Sequence, residues 1–140
     1  MKKPLFAATC LLLVMLLVAP WAVQAQDTTT YTLGVAQPFT GPLGTYGTDF
    51  GKGIQLAVDQ MNAQLEAAGV NIRFQVASAD TQGTPDGASQ AVQTIVQTTG
   101  AQVIVGPLST SEVLGVKQFA DQNNIVILAP ASTASSGGIA

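Results

Sequence analysis

An open, parallel α/β sheet is the fold this sequence predicts, and three observations predict it. Short β-branched runs alternate along the chain with longer stretches of helical period. The junctions carry helix starts of the Thr-Pro and Ser-x-x-Glu kind, and helix stops at Gly or Asn. The last run, Ile125 to Leu128, is hydrophobic throughout, which fits a strand covered on both faces. Strands alternating with helices of this length give the order β-α-β-α-β-α-β, a parallel sheet joined by right-handed crossovers.

Each element has its own justification. After a polar lead-in, Gln26 to Thr30, the run Tyr31 to Ala36 reads as the first strand. Gln37 to Gly47 carries Pro38, Pro42, Gly41, Gly44 and Gly47, so it reads as a loop. From Thr48 the period becomes helical: Phe50, Ile54, Ala57, Met61, Leu65 and Ala68 form an apolar stripe that Gly69 ends. Ile72, Phe74 and Val76 alternate with Arg73, Gln75 and Ala77 as a second strand, and Asp80 to Gly83 is a turn. Thr84-Pro85 starts a second helix, with Ala88, Val92, Ile95, Val96 and Thr99 facing inward and Gly100 as its stop. Val103 to Val105 is the third strand. Ser109-Thr110-Ser111-Glu112 is a capping box that opens a third helix, with Val113, Val116 and Ala120 inward, Phe119 beside them, and an end at Asn123-Asn124. Ile125 to Leu128 is the fourth strand, and Thr133 to Ala140 is a small, polar tail without a further element.

The N-terminus reads as a targeting segment. Met1-Lys2-Lys3 is basic, Leu5 to Val23 is apolar, and Val23-Gln24-Ala25 is a small-residue cleavage site. Residues 1–25 are therefore expected to be a signal peptide removed near Ala25, and the product is expected to be periplasmic or otherwise secreted. The competing reading is an uncleaved anchor, since the apolar stretch is just long enough to span a bilayer. Pro20 and the cleavage site favour removal. The single cysteine, Cys10, leaves with the peptide, so no disulfide framework is expected. The remaining chain carries three bases, Lys52, Arg73 and Lys117, against eight acids, which argues against nucleic acid as a partner. The sequence has no His, which removes Ser-His-Asp chemistry and His-based metal sites. No catalytic residue, metal or cofactor is expected.

The candidate site is a pair of hydroxyl-rich turns. Val105-Gly106-Pro107-Leu108-Ser109-Thr110-Ser111 follows the third strand, and Leu128-Ala129-Pro130-Ala131-Ser132-Thr133 follows the fourth. In an open parallel sheet ligands bind at the carboxyl ends of strands, where both turns fall. A helix N-terminus presents unpaired N–H groups and suits a carboxylate. Ser109 is expected mainly to cap the helix, which leaves Thr110 and Ser111 to face a ligand. Ser132 and Thr133 read equally as ligand groups or as turn chemistry, and Asp121 and Glu112 read as solvated helix charges. A dinucleotide site is not supported: the first loop is spaced G-x-x-G-x-x-G and contains Pro42. Asp80 reads as a turn cap rather than a ribose ligand. Walker A and G-x-S-x-G motifs are absent.

The stretch Leu33-Gly34-Val35-Ala36-Gln37-Pro38-Phe39-Thr40-Gly41-Pro42-Leu43-Gly44-Thr45-Tyr46-Gly47 resembles the opening of the leucine/isoleucine/valine-binding proteins, the type I periplasmic solute receptors of ABC importers. The segment Gly51 to Asn62 resembles that family's first helix, and the two hydroxyl turns resemble its ligand loops. The likeness covers Tyr31 to about Ser135, and it implies that residues 31–140 form a partial N-terminal lobe of a truncated chain. It implies an amino acid or similar small polar solute as ligand, and an ABC permease as partner of the full-length parent. Tyr46 would lie over the ligand or, alternatively, pack against its own loop. Thr110, beside Ser109 and Ser111, would hold the carboxylate, and Ala131 (by its backbone), Ser132 and Thr133 would contact the ammonium and carboxylate. Many relatives have a disulfide between the turns after strands two and three; Gly83 and Ser109 stand there, so that bridge is missing. With the second lobe missing, the piece alone is expected to bind amino acids poorly. The alternatives to a solute-capture protein are the ligand lobe of a sensor or an exported α/β enzyme. The enzyme reading has only Asp80 and Asp86 near a strand end.

Overall fold

The computed structural model describes residues 27–133; the signal-peptide reading and the tail after Thr133 lie outside them. Four strands alternate with three helices: β1 (Thr29–Gln37), α1 (Gly44–Ala67), β2 (Ile72–Asp80), α2 (Pro85–Thr99), β3 (Val103–Val105), α3 (Thr110–Asn123) and β4 (Val126–Leu128). All three strand pairings are parallel, in the order β2-β1-β3-β4. The order reverses between β1 and β3, so a topological switch point opens there at the carboxyl edge.

Alternation along the strands separates two faces. Ala36, Ile104 and Ile127 join Ala88, Val92 and Ile95 of α2 and Val116 and Ala120 of α3 in one buried cluster. Gly34 belongs to this face because a Cβ there would lie 2.2 Å from Ile104 Cδ1 and 2.9 Å from Ile95 Cγ2. Val35 points to the other face, where α1 packs along β1 and β2 and buries Val58. Cover on that face stops short of β4. Val126 and Leu128 are 51% and 52% exposed, so among the described residues only Ile127 of this strand is enclosed. The all-apolar run predicted cover on both sides, and half of that cover is missing from residues 27–133.

The helix ends follow the expected chemistry. The Thr84 hydroxyl accepts from the Gly87 N–H at 3.1 Å with Pro85 at the first helical position, and Gly100 ends α2 in the left-handed region. Asn124 ends α3 in the same conformation, with φ 54°.

The first helix departs from expectation. It starts at Gly44, not Thr48, and includes Tyr46. Its buried residues are Gly47 and Val58, while Phe50, Ala57, Met61 and Ala68 of the expected stripe are exposed. The apolar count missed two devices. Gly47 and Gly51 permit close approach: a Cβ at Gly47 would lie 2.2 Å from Pro38 O, and one at Gly51 2.8 Å from the Phe39 ring. A polar residue, Asn62, then faces the sheet and pairs at 2.8 Å with both the N–H and the carbonyl of Phe74.

Candidate functional site

Three turns meet at the carboxyl edge, after β1, β3 and β4. Gly106 holds the middle one close against its neighbours. Its φ is 113°, its N–H donates to Leu128 O at 2.8 Å, and a Cβ there would lie 1.9 Å from Ala36 O. From this turn the chain enters α3 through Ser109, whose hydroxyl caps the helix while the Glu112 side chain bonds back to the Ser109 N–H at 2.9 Å.

Glu112 corrects one expectation. It is completely buried, not solvated. One carboxyl oxygen accepts from the Ser109 N–H and the Ser109 hydroxyl (2.6 Å), and the other accepts from the hydroxyl of Thr81, also buried. The capping box was legible in Ser-x-x-Glu. The partner Thr81, 31 residues upstream, carried no local signal. Asp121 behaves as expected, exposed and paired with Lys117 at 2.6 Å.

Thr110 joins the two hydroxyl turns. Its hydroxyl accepts from the Thr133 N–H at 3.2 Å and lies 3.3 Å from the Ser132 hydroxyl. Thr110 and Ser132 are half-buried, while Ser111, Ala131 and Thr133 are exposed, so the joined turns open to solvent. The Ser111 hydroxyl lies 3.2 Å from that of Ser109. Tyr46 stands on the first turn of α1, 62% exposed, with no hydrogen bond to either turn among the described residues.

Asp80 ends the edge strand β2 and ties its own turn to the turn after β1. It caps its turn by accepting from the Gln82 N–H at 2.9 Å, and it also accepts from the Thr40 hydroxyl (2.5 Å) and N–H (3.2 Å). Burial alone would raise its carboxyl pKa; the donors from Thr40, Gln82 and Phe39 outweigh burial and hold it below its ordinary value. A folded-state pKa below the unfolded one gives stability that is present above the ordinary carboxylate range and is lost as pH falls through the folded value. Thr40→Val is expected to shrink this acid-side loss by well under about 1 kcal/mol, because Asp80 is largely solvated. Urea midpoints compared at neutral and acid pH check it: the wild type should lose more stability than the variant on acidification.

Among the described residues no group of three His, Cys, Asp or Glu side chains could hold a metal, and no helix is long and apolar enough to cross a membrane. The joined turns present hydroxyls and backbone N–H groups at a helix start, groups of the kind that can hydrogen-bond an anion.

The profile of the family described as periplasmic binding protein matches residues 30–139. The chain belongs to the periplasmic binding protein family. This is a family of binding proteins rather than enzymes, and it works outside the cytoplasm. The Leu/Ile/Val-binding protein BraC3 of Rhizobium johnstonii is 29% identical over 103 residues, 74% of this chain and 27% of that protein. An uncharacterized protein of Methanocaldococcus jannaschii is 30% identical over 120 residues, 79% of this chain and 28% of that one. The chain therefore spans little more than a quarter of the length of these relatives. Among solved structures, the branched-chain amino acid binding protein LivJ of Streptococcus pneumoniae, in complex with isoleucine, superposes with a TM-score of 0.68 at 24% identity. That match covers 77% of this chain and 30% of LivJ. A solute-binding protein of an ABC transporter from Rhodopseudomonas palustris, in complex with 3,4-dihydroxybenzoic acid, superposes with a TM-score of 0.65 at 21% identity, covering 76% and 28%. The parallel β-α-β-α-β-α-β fold expected from the sequence is the one these family members share with the chain.

Proposed function

We propose that the joined hydroxyl turns are one jaw of a solute clamp, and that the solute is a branched-chain or similar amino acid held by its carboxylate. The observation that carries this reading is the Thr110 junction. Thr110 ties the turn after β4 to the start of α3, beside the N–H groups of Thr110 and Ser111, which have no partner among the described residues. Two such groups at a positive helix end suit an anion. Isoleucine and 3,4-dihydroxybenzoic acid, named as ligands of two relatives, share a carboxyl group and little else.

In this reading Thr110 and Ser111 hold the carboxylate, and Ala131, Ser132 and Thr133 hold the second side of the head group. Ser109 contributes by capping, since its N–H and hydroxyl already go to Glu112. Tyr46 covers the solute. The ammonium of an amino acid wants a carboxyl partner when desolvated. Neither turn holds one, so a second lobe supplies it. The parent works outside the cytoplasm after cleavage near Ala25 and delivers its solute to an ABC permease.

The test follows backbone amide resonances of the chain during addition of leucine. Shifts are expected at residues 109–111 and 131–133, with weak, millimolar affinity, and Thr110→Val should weaken binding by about tenfold, the worth of one hydrogen bond to a charged group. Unchanged affinity in the variant would remove Thr110 from the site.

A further inference from the structure

We infer that Thr81 and Glu112 are positioning residues for the solute jaw. They form a buried link that fixes the start of α3, and with it Thr110, to the turn between β2 and α2. This inference rests on the jaw reading above. Thr81 is a hub: its N–H donates to Gln37 O at the end of β1 (3.0 Å), its carbonyl accepts from the Thr84 N–H at the start of α2 (3.1 Å), and its hydroxyl donates to Glu112. Glu112 passes the connection to Ser109, and the next residue, Thr110, passes it to Ser132 and Thr133. Hydrogen bonds, with the Ser109–Thr110 backbone, thus join the end of β1 to the turns that follow β2, β3 and β4.

Its setting makes the link stiff. Thr81 and Glu112 are both completely buried. Glycines bring the two helix starts together: a Cβ at Gly115 would lie 2.7 Å from Pro85 O, and one at Gly87 would lie 2.2 Å from Thr81 O. No cation takes part. The three bases of the described residues, Lys52, Arg73 and Lys117, pair with Asp49, Glu66 and Asp121. The carboxyl group is satisfied only by the donors it holds in place, so the geometry of α3's first turn depends on them. A hydrogen-bonded capping box alone would need only Ser109. The reach across to Thr81 adds nothing to the cap and converts a local motif into a tie between two turns.

The experiment compares Thr81→Val, which deletes the hydroxyl at near-constant volume, with Thr81→Ser, which restores it. Ile104→Val serves as a core variant that perturbs stability away from the link. Two readouts are taken on each chain: amide exchange at Glu112, Val113 and Thr133, and the response to leucine. Thr81→Val should speed exchange at those amides at least tenfold and weaken leucine at least fivefold, Thr81→Ser should return both close to wild type, and Ile104→Val should change neither beyond its global destabilisation. Glu112→Gln is the second variant and should behave as Thr81→Val. Exchange in Thr81→Val no faster than in Ile104→Val at equal stability would overturn the inference, as would failure of Thr81→Ser to restore it. If the wild type gives no leucine response, the jaw reading fails, and the exchange comparison still decides whether the link fixes the turn.

Discussion

A valine in place of Gly106 is expected to cost the fold about 4 kcal/mol or more, enough to leave a small domain largely unfolded. Two independent penalties combine. At φ 113° an L side chain is strained, and a β-branched one most of all. There is also no room: the new Cβ would sit 1.9 Å from Ala36 O and 2.9 Å from Gln37 Nε2. Neither neighbour can yield. Ala36 lies in β1, which pairs on both sides, and the Gln37 side chain is completely buried with its Nε2 donating to Val105 O at 3.4 Å. Urea unfolding followed by circular dichroism checks the result. A midpoint within error of wild type would mean that the turn after β3 is built differently. Gly69 is the comparison position: φ is also positive there, at 68°, but a Cβ would meet nothing within 4 Å, so Gly69→Ala should cost only the backbone penalty of about 1 kcal/mol.

Ile104→Ala is expected to destabilise by about 2–5 kcal/mol. Ile104 is completely buried at the centre of the sheet, and its cluster joins α2, α3, β1 and β4. Removing its side chain beyond Cβ takes contacts from Gly34, whose missing Cβ makes room for Ile104, and opens a void in the switch-point strand. Leu114→Ala, at a leucine 57% exposed, should stay within about 0.5 kcal/mol. Equal losses in the two variants would contradict the assignment of the core to the α2–α3 face.

Chain punctuation was the most legible part of this molecule. Thr84-Pro85, Ser109 to Glu112, Gly100 and Asn124 place helix ends by local rules, and each stands where those rules put it. The first helix was read less well. Its inward side combines Val58 with Gly47, Gly51 and Asn62, and a hydrophobic stripe cannot register residues chosen for small size or for a backbone hydrogen bond. The site divides the same way. The two turns could be recognised by their hydroxyls and their places after strands, but that Thr110 bridges them is a contact over 22 and 23 residues. An acid near a helix start is usually solvated; the burial of Glu112 rests on its local Ser109 donors and on the distant Thr81, which satisfies its second oxygen and leaves no local trace.

The central claim is that the start of α3 and the turn after β4 form one carboxylate-holding surface. Amide resonance mapping with leucine and, in parallel, leucinamide tests it most directly, because the two differ in the carboxylate that the proposed jaw would hold. Leucine should give a millimolar response at residues 109–111, 131–133 and Tyr46, and leucinamide a response at least tenfold weaker. Equal responses to both compounds, or shifts centred elsewhere on the sheet, would contradict it.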